Sequence, residues 1–300
     1  MLNDGHKFVQ AEVIASGVAS SEGQPRTIKM VVPMATPVTV VGSIDLPAAA
    51  RLAEWLVKEG ADAIFVCGTT GRFSDFPPAE NGQLCQAVVR AVGDVARVYA
   101  GIADSGPMRM LNNALIMKEA GASAVVTTGP YYLPRSIAQV EDALIWVADR
   151  CPLPLLLYNM PELVGYCFRP DWLRTLTKHP TISGYKDSSN DLQHHWEVLD
   201  AAQSSGWEVL IGKERLLLDA IRIGASGTVV SLSHLDPALF ARLTRQAIMG
   251  QWAAAEESQE AIDRITLDFM NAYGGRPLFS DLMEYLEAGL RRAGMELRLC

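Results

Sequence analysis

Short apolar runs rich in β-branched and aliphatic residues alternate along the chain with longer segments of helical periodicity. Such near-continuous apolar runs are typical of parallel strands that are covered on both faces. The pattern therefore predicts eight parallel strands, at residues 28–32, 63–67, 97–102, 123–128, 154–158, 181–186, 208–212 and 227–231.

The helical segments between these runs end in a recurring way. Segment 46–59 places apolar residues at helical spacing, and Gly60, Gly121 and Gly224 each stand between a helical segment and a strand. A glycine in this place fits a left-handed helix cap. The repeated order of helix, glycine, small residues and strand indicates β/α units. It favours a (β/α)8 barrel, or TIM barrel, over an open doubly wound sheet, which stays the alternative on this pattern alone.

The chain divides into three parts on this interpretation. Residues 1–25 are a poorly patterned N-terminal lead-in, residues 26–234 are the barrel domain, and residues 235–300 are a C-terminal helical region that completes the barrel and extends it. The extension either supports contacts between subunits or simply covers the barrel. Its helical patterns lie at residues 237–249, 251–271 and 278–293.

Composition narrows the class of protein. A length of 300 residues is ordinary for an α/β barrel, and the net charge of −8 argues against a nucleic-acid partner, which wants a basic face. The five cysteines are scattered without a CxxC pair or Cys/His cluster, so neither a disulfide framework nor a metal site is expected. We read neither a signal peptide nor an apolar run of about 18 residues. These features predict a cytoplasmic protein without a membrane span.

Lys186 is the sharpest single candidate for chemistry. It ends the sixth predicted strand, which is otherwise uncharged, and barrel enzymes carry their chemistry at the C-terminal ends of the strands. Desolvation inside a barrel favours the neutral amine, which can attack a carbonyl. The alternative is a lysine that leaves the strand into solvent or pairs with Asp187. Position alone does not decide between them.

Two further groups converge on the same predicted barrel mouth. Thr69 and Thr70 lie in a glycine-flanked turn after the second strand, where hydroxyls and backbone N–H groups suit a small carboxylate. Tyr158 ends the fifth strand, and a phenol with suitable neighbours can act as an acid or base. Each has an ordinary interpretation as a plain turn or a core tyrosine. A lysine, a carboxylate nest and a phenol on different strands of one face make a combination with few alternatives.

At these residues the chain resembles the dihydrodipicolinate synthase / N-acetylneuraminate lyase family of class I aldolases, from about residue 28 to residue 295. The order and spacing of five motifs carry the resemblance, and any one of them alone is weak. They are Gly-Thr-Thr-Gly at 68–71, Pro-Tyr-Tyr at 130–132, Tyr-Asn-Met-Pro at 158–161, Gly-Tyr-Lys-Asp-Ser-Ser at 184–189 and Gly-Ala-Ser-Gly at 224–227.

The resemblance implies a role for each catalytic candidate. Lys186 would form a Schiff base with a 2-keto acid such as pyruvate, and Tyr158 would shuttle the proton at the substrate. Thr69 would link Tyr158 to Tyr132 in a proton relay. In many relatives that second tyrosine comes from a neighbouring subunit.

The resemblance also implies how the substrate is bound and what else is needed. Thr70, with nearby backbone N–H groups, would hold the pyruvate carboxylate, and Val230 at the end of the eighth strand would line the pyruvate pocket. Members of the family use no metal and no organic cofactor, because the covalent imine itself activates the substrate. They are commonly homotetramers or dimers, so a homo-oligomer is expected.

One departure from the family concerns the second substrate. Dihydrodipicolinate synthases commonly carry an arginine two residues after the Tyr-Asn-x-Pro motif, and this chain has Leu163 there. An arginine can bind a carboxylate through two hydrogen bonds, so its absence should considerably lower the affinity for that substrate. A leucine is closer to what sialic-acid lyases carry.

A second departure lies at the end of the seventh strand. Gly212 and Lys213 are predicted to contact substrate, but Lys213-Glu214 replaces the acidic pair usual in sialic-acid lyases, and Arg72 replaces a frequent glutamate. We hypothesise that the distal end of the substrate is anionic. The alternative is that both cations point outward or pair with Glu214 or Asp75.

The sequence therefore predicts a pyruvate-dependent aldolase or lyase that cleaves or forms a 2-keto-3-deoxy sugar acid or a related hydroxy-keto acid. Within the family the alternatives are a dihydrodipicolinate synthase, joining pyruvate and aspartate semialdehyde, and a keto-deoxy-sugar-acid dehydratase. Outside it, the alternatives are a non-catalytic sugar-acid-binding barrel and a phosphate-binding isomerase. The last is disfavoured, because the glycines at 224–227 precede the eighth strand instead of following it.

Overall fold

In the computed structural model, which describes residues 28–300, eight parallel strands close into a barrel in the order β1 to β8, with β8 pairing back onto β1. The TIM-barrel prediction is confirmed, and the lead-in predicted for residues 1–25 lies outside the described residues. The strands are β1 (Lys29–Pro33), β2 (Ala63–Val66), β3 (Arg97–Gly101), β4 (Ala124–Thr127), β5 (Leu155–Asn159), β6 (Ile182–Asp187), β7 (Glu208–Ile211) and β8 (Gly227–Val229).

Helices connect the strands and form the C-terminal region. The α-helices are α1 (Leu46–Lys58), α2 (Pro78–Val92), α3 (Pro107–Glu119), α4 (Ile137–Ala148), α5 (Pro161–Val164), α6 (Pro170–Leu176), α7 (Leu192–Ala201), α8 (Leu217–Ile223), α9 (Pro237–Ile248), α10 (Trp252–Ala272) and α11 (Phe279–Arg292). Short 3-10 helices lie at Phe73–Asp75, Glu214–Leu216 and Ser231–His234. Gly60, Gly121 and Gly224 have positive φ angles of 115°, 90° and 120°, as predicted for left-handed caps. Within residues 28–300, no helix has the length and apolar character needed to cross a membrane.

Two apolar layers hold the barrel together. One fills its interior, where the large side chains include Phe65, Tyr99, Leu156 and Leu210. The other lies between the strands and the surrounding helices. Because both faces of each strand are buried, the strands read as nearly continuous apolar runs, which explains why the sequence located all eight.

The N-terminal end of the barrel is closed by a polar cluster around Glu208. Its carboxylate accepts hydrogen bonds from Lys29, from the Tyr99 hydroxyl at 2.8 Å and from Arg97 at 3.3 Å. Burial alone would raise the pKa of Glu208, but the bonds from Lys29 and Tyr99 outweigh it and lower that pKa. The cluster leaves the opposite, C-terminal end of the barrel for the site.

Strand register determines which side chains face the interior at that end. Tyr158 in β5 is the direct partner of Lys186 in β6. Because side chains alternate along a strand, the following residues, Asn159 and Asp187, face the helices instead. The Asn159 amide donates to Asp187 at 3.2 Å, and His195 Nδ1 lies 3.3 Å from the same carboxylate. These buried bonds brace the ends of the two strands that carry the candidate lysine and tyrosine.

Candidate active site

Lys186 lies on the floor of a cavity at the C-terminal end of the barrel, with only 5% of the residue exposed. Its Nζ is 4.0 Å from the ring centre of Tyr158 and 5.1 Å from that of Phe65. The adjacent Asp187 carboxylate turns away toward His195. The structure thus supports the buried, inward-facing position predicted for Lys186 over the solvent-exposed alternative.

Tyr158 is buried beside Lys186, and its phenol is tuned by its neighbours. Burial alone would raise the pKa of Tyr158, but the positive charge of Lys186 and polar contacts with Thr69 and Ser188 outweigh burial and lower that pKa. A phenol whose anion is stabilised next to an amine can accept a proton and return it. The arrangement therefore places a phenol that can act as a base directly beside the Lys186 amine.

Thr69 and Thr70 line the same cavity, and Thr70 is held in place by a chain of hydrogen bonds. The Oγ1 of Thr70 lies 2.7 Å from the Oγ of Ser231. The Ser231 carbonyl accepts from His234 Nδ1 at 2.7 Å, and His234 Nε2 accepts from the Ala35 amide at 3.1 Å. Burial lowers the pKa of His234 to about 4, so its ring stays neutral. A neutral ring can donate from Nδ1 and accept at Nε2 at the same time. This wall of the cavity is therefore fixed before any ligand binds.

Gly212, at the end of β7, also lines the cavity. A Cβ atom on this residue would lie 2.2 Å from the Oγ of Ser188 and 3.3 Å from the Cε of Lys186. No side chain fits there unless Ser188 moves. The glycine therefore leaves room for the lysine and for the serine that contacts Tyr158.

The structure does not bring Val230 to the cavity, and Val229 lines it instead. Val229 packs in the barrel interior, whereas Val230 packs in the layer beneath the helices. The prediction for Val230 is thus displaced by one residue. The two valines follow each other in a short run that is apolar on both faces, so the sequence could not tell which one points inward.

Tyr132 is not brought to the cavity of its own chain. It is 86% exposed and has a positive φ of 78°, a conformation that is strained for a residue with a side chain. The preceding Tyr131 is half-buried and packs edge-on against Phe73, with ring centres 6.0 Å apart. The predicted link from Thr69 to Tyr132 is therefore absent within the single chain over residues 28–300.

The two cations that suggested an anionic substrate end are placed differently. Lys213 lines the cavity, but its Nζ donates to both carboxylate oxygens of Glu162, at 3.1 and 3.2 Å. Arg72 does not line the cavity; its Nε lies 3.9 Å from Asp75 and its guanidinium stacks over Phe76. Pairing with Asp75 was the alternative for Arg72, and the structure favours it. The partner of Lys213 is Glu162, which sequence reasoning did not identify.

The cavity has a volume of about 410 Å³, and several residues that line it were missed from sequence. Ser188 and Glu162 stand in or beside recognised motifs, so the motifs could have signalled them. The sequence did not indicate that side chains of α10 and α11 line the cavity, because the rotation of a helix in the fold is set by tertiary packing. The missed lining residues include Glu162, Ser188, Ser231, Thr266, Phe269, Met270, Leu278, Phe279 and Leu282.

Among residues 28–300, the structure brings no three His, Cys, Asp or Glu side chains into a group that could hold a metal ion.

Comparisons with known proteins agree with the fold and the motifs. Among solved structures, YagE from E. coli K12, a dihydrodipicolinic acid synthase family protein in complex with pyruvate, superposes with a TM-score of 0.82 at 23% identity, over 91% of this chain and 90% of that one. Dihydrodipicolinate synthase DapA-2 from Bacillus anthracis gives a TM-score of 0.81 at 24% identity, over 91% and 90%. At these identities, the two structures support the fold alone.

Sequence relatives identify the family. The 4-hydroxy-tetrahydrodipicolinate synthase 1 of Streptomyces coelicolor is 33% identical over 229 residues, which are 76% of this chain and 72% of the relative. The 4-hydroxy-tetrahydrodipicolinate synthase of Mycolicibacterium paratuberculosis is 30% identical over 264 residues, 88% of this chain and 84% of the relative. The sequence model described as the dihydrodipicolinate synthetase family matches residues 26–289. The chain therefore belongs to the dihydrodipicolinate synthetase family, whose members are carbon–carbon lyases of the Schiff-base aldolase type.

Proposed function

We propose that this protein is a pyruvate-dependent aldolase that forms a Schiff base through Lys186 and makes or cleaves a hydroxy-keto acid. The observation that carries the proposal is the buried Lys186 amine, 4.0 Å from the Tyr158 ring on the floor of a cavity. The pyruvate named in the YagE complex supports the choice of keto acid. The product is a 2-keto-3-deoxy sugar acid or a related hydroxy-keto acid.

The chemistry follows from the placement of these side chains. Lys186 gives up a proton, its amine adds to the C2 carbonyl of pyruvate, and loss of the carbonyl oxygen as water leaves a protonated imine. This imine withdraws electrons, so that C3 can lose a proton to give an enamine, or the C3–C4 bond of an aldol adduct can break. Tyr158 carries the proton in both directions. Thr70, oriented by Ser231, holds the carboxylate so that C3 is positioned before reaction.

Tyr132 completes the site from a neighbouring copy of the chain in this proposal. Its high exposure and its strained backbone support a role outside its own subunit, and the polar relay from Tyr158 would otherwise end at Thr69. The protein would then act as a homo-oligomer, a tetramer or a dimer.

The proposal is tested by trapping the imine. The protein is incubated with pyruvate and sodium borohydride, digested, and analysed by mass spectrometry. We expect reduced pyruvate on the peptide that carries Lys186, and none in the Lys186→Arg variant. An unmodified Lys186 peptide at saturating pyruvate would refute the Schiff-base mechanism.

A dihydrodipicolinate synthase activity, joining pyruvate to aspartate semialdehyde, is the second candidate. The names of the sequence relatives favour it. Leu163 at the position of the usual carboxylate-binding arginine argues against it. An assay of pyruvate consumption with aspartate semialdehyde distinguishes the two, because only a synthase should use this acceptor better than a hydroxylated or unsubstituted aldehyde.

A further inference from the structure

The outer part of the Lys186 cavity is lined largely by apolar side chains. Leu163 of α5, Leu278 before α11 and Phe279 at its start are 62%, 69% and 41% exposed, and all three line the cavity. Phe269 and Met270 of α10 line the same cavity. We call this surface the apolar rim. Three separate segments of the chain thus present large apolar side chains above one reactive amine.

The charged side chains of the cavity beyond Lys186 are already engaged by the protein. Among residues 28–300 they are Lys213, Glu162 and Glu214. Lys213 is paired with Glu162, and the Glu214 carboxyl accepts from the Leu232 amide at 3.3 Å. Burial also raises the pKa of Glu214, which disfavours its anion. Among the lining residues from this described part of the chain, no cation is left over to balance a second carboxylate on a substrate.

The uncharged polar groups at the outer end are engaged as well. The Oγ1 of Thr266 donates to the Ile262 carbonyl at 2.9 Å, within α10. A polyhydroxylated chain entering here would exchange its hydrogen bonds with water for contacts with leucine and phenylalanine, which costs free energy. An alkyl or aryl group would gain by leaving water. Contiguous exposed apolar surface of this kind commonly marks a binding site.

We infer that the acceptor of this aldolase is an aldehyde with an uncharged, apolar substituent, which the apolar rim binds. The inference rests on the proposed function and names its substrate class. The enamine C3 of Lys186-bound pyruvate attacks the aldehyde carbon, forming the C3–C4 bond, and the aldehyde oxygen takes up a proton to become a hydroxyl. Water then hydrolyses the imine, releasing a 4-hydroxy-2-keto acid with an apolar group beyond C4 and restoring the amine.

A comparison of acceptors tests the inference on the unmodified protein. Condensation with pyruvate is measured for hexanal, benzaldehyde, glyceraldehyde and succinic semialdehyde, which separate apolar, hydroxylated and charged substituents. We expect kcat/KM to be at least about tenfold higher for the apolar pair, as a hydrophobic pocket discriminates on this scale. Equal or higher values for glyceraldehyde or succinic semialdehyde would overturn the inference.

Two variants locate the effect in the apolar rim. Leu163→Ser and Leu278→Ser should each lower kcat/KM for hexanal about tenfold while borohydride trapping of pyruvate on Lys186 is unchanged. Leu267→Ser is the matched control, because Leu267 is an exposed leucine of α10 that does not line the cavity. Equal losses in the control would contradict a role for the rim.

The remaining outcomes separate this inference from the proposed function and from a subunit interface. Failure to trap pyruvate on Lys186 would overturn the proposed function itself. Trapping together with a preference for polar acceptors would overturn only the apolar acceptor. If the two rim variants change the molar mass in light scattering and leave the order of acceptors unchanged, the rim is a contact between copies of the chain and the inference is wrong.

Discussion

Single residues determine the chemistry of this protein through their position in the strand register. Lys186 and Tyr158 face each other because they are direct partners in β6 and β5, and a shift by one residue would place Asp187 and Asn159 inside instead. The sequence singled out Lys186, because a charged residue that ends an apolar strand is conspicuous, and it placed Tyr158 at the end of the preceding strand. It missed Val229 because nothing in a doubly buried strand distinguishes it from Val230.

His234 gives a prediction at this scale for stability against pH. Its pKa in the folded protein is about 4, below the ordinary value of 6.5, so the folded state binds fewer protons than the unfolded state between these values. The contribution of the neutral His234 ring to the unfolding free energy is fully present above pH 6.5 and is lost as the pH falls through 4. The pKa falls from 6.5 to about 4, and each pKa unit corresponds to about 1.4 kcal/mol, so the full loss from this group is about 3 kcal/mol.

Urea denaturation at pH 7 and pH 4.5 measures this contribution, with His234→Gln as the comparison. The glutamine side chain can donate a hydrogen bond from its amide nitrogen and accept one at its amide oxygen, as the two nitrogens of the neutral ring do. Unlike histidine, it does not titrate. We expect the unfolding free energy of the variant to fall less over this range than that of the unmodified protein. Identical pH dependence in the two proteins would show that His234 is not buried as a neutral ring.

Whole elements were predicted more reliably than the faces they present. The strands and the long helices α9 to α11 were placed within a few residues, because buried strands and amphipathic helices have distinct periods. The apolar rim was not predicted, because it depends on how α10 and α11 are rotated and where they end above the barrel. The bond between Lys213 and Glu162 likewise joins the loop after β7 to helix α5, which are distant in sequence.

The end of β7 gives a prediction at the scale of an element. Gly212→Ala would place a methyl group 2.2 Å from the Oγ of Ser188, so Ser188 and the end of Lys186 must shift. We expect the rate of imine formation to fall and stability to drop by about 1–3 kcal/mol, as for other overpacked sites. Stopped-flow kinetics and thermal denaturation measure the two effects.

A second substitution tests the cause of that loss. Ser188→Ala removes the nearest atom, so the double variant Gly212→Ala/Ser188→Ala should recover part of the stability that the single Gly212→Ala variant loses. Strictly additive losses in the double-mutant cycle would mean that the contact with Ser188 is not responsible.

The molecule as a whole is a barrel that is closed at one end and opens into the candidate active site at the other. The Glu208 cluster fills the N-terminal end, while the cavity opens among the loops after β2, β5, β6, β7 and β8 and beneath α10 and α11. The sequence indicated which end of the barrel holds the candidate site, because the candidate residues all end or follow strands. The proposed dependence of the site on a second copy was implied by the family resemblance and not by the residue pattern alone, because Tyr132 shows its exposure only in the folded chain.

Subunit complementation tests that dependence. Lys186→Arg and Tyr132→Phe are each expected to be strongly impaired, since one lacks the amine and the other lacks the relay hydroxyl. When the two variants are mixed under conditions that exchange subunits, some sites combine an intact Lys186 with an intact Tyr132, and activity should return. A mixture no more active than its components would place the function of Tyr132, if any, within its own chain.

The pairing of Lys186 with Tyr158 is tested most directly by hydrogen exchange at C3 of pyruvate. Proton NMR in D2O follows the methyl signal of pyruvate and requires no knowledge of the acceptor. We expect the unmodified protein to exchange these protons, Lys186→Arg to show no catalysed exchange, and Tyr158→Phe to be slower by about two to four orders of magnitude. Exchange in Lys186→Arg at the rate of the unmodified protein, or no exchange in the unmodified protein, would contradict the mechanism.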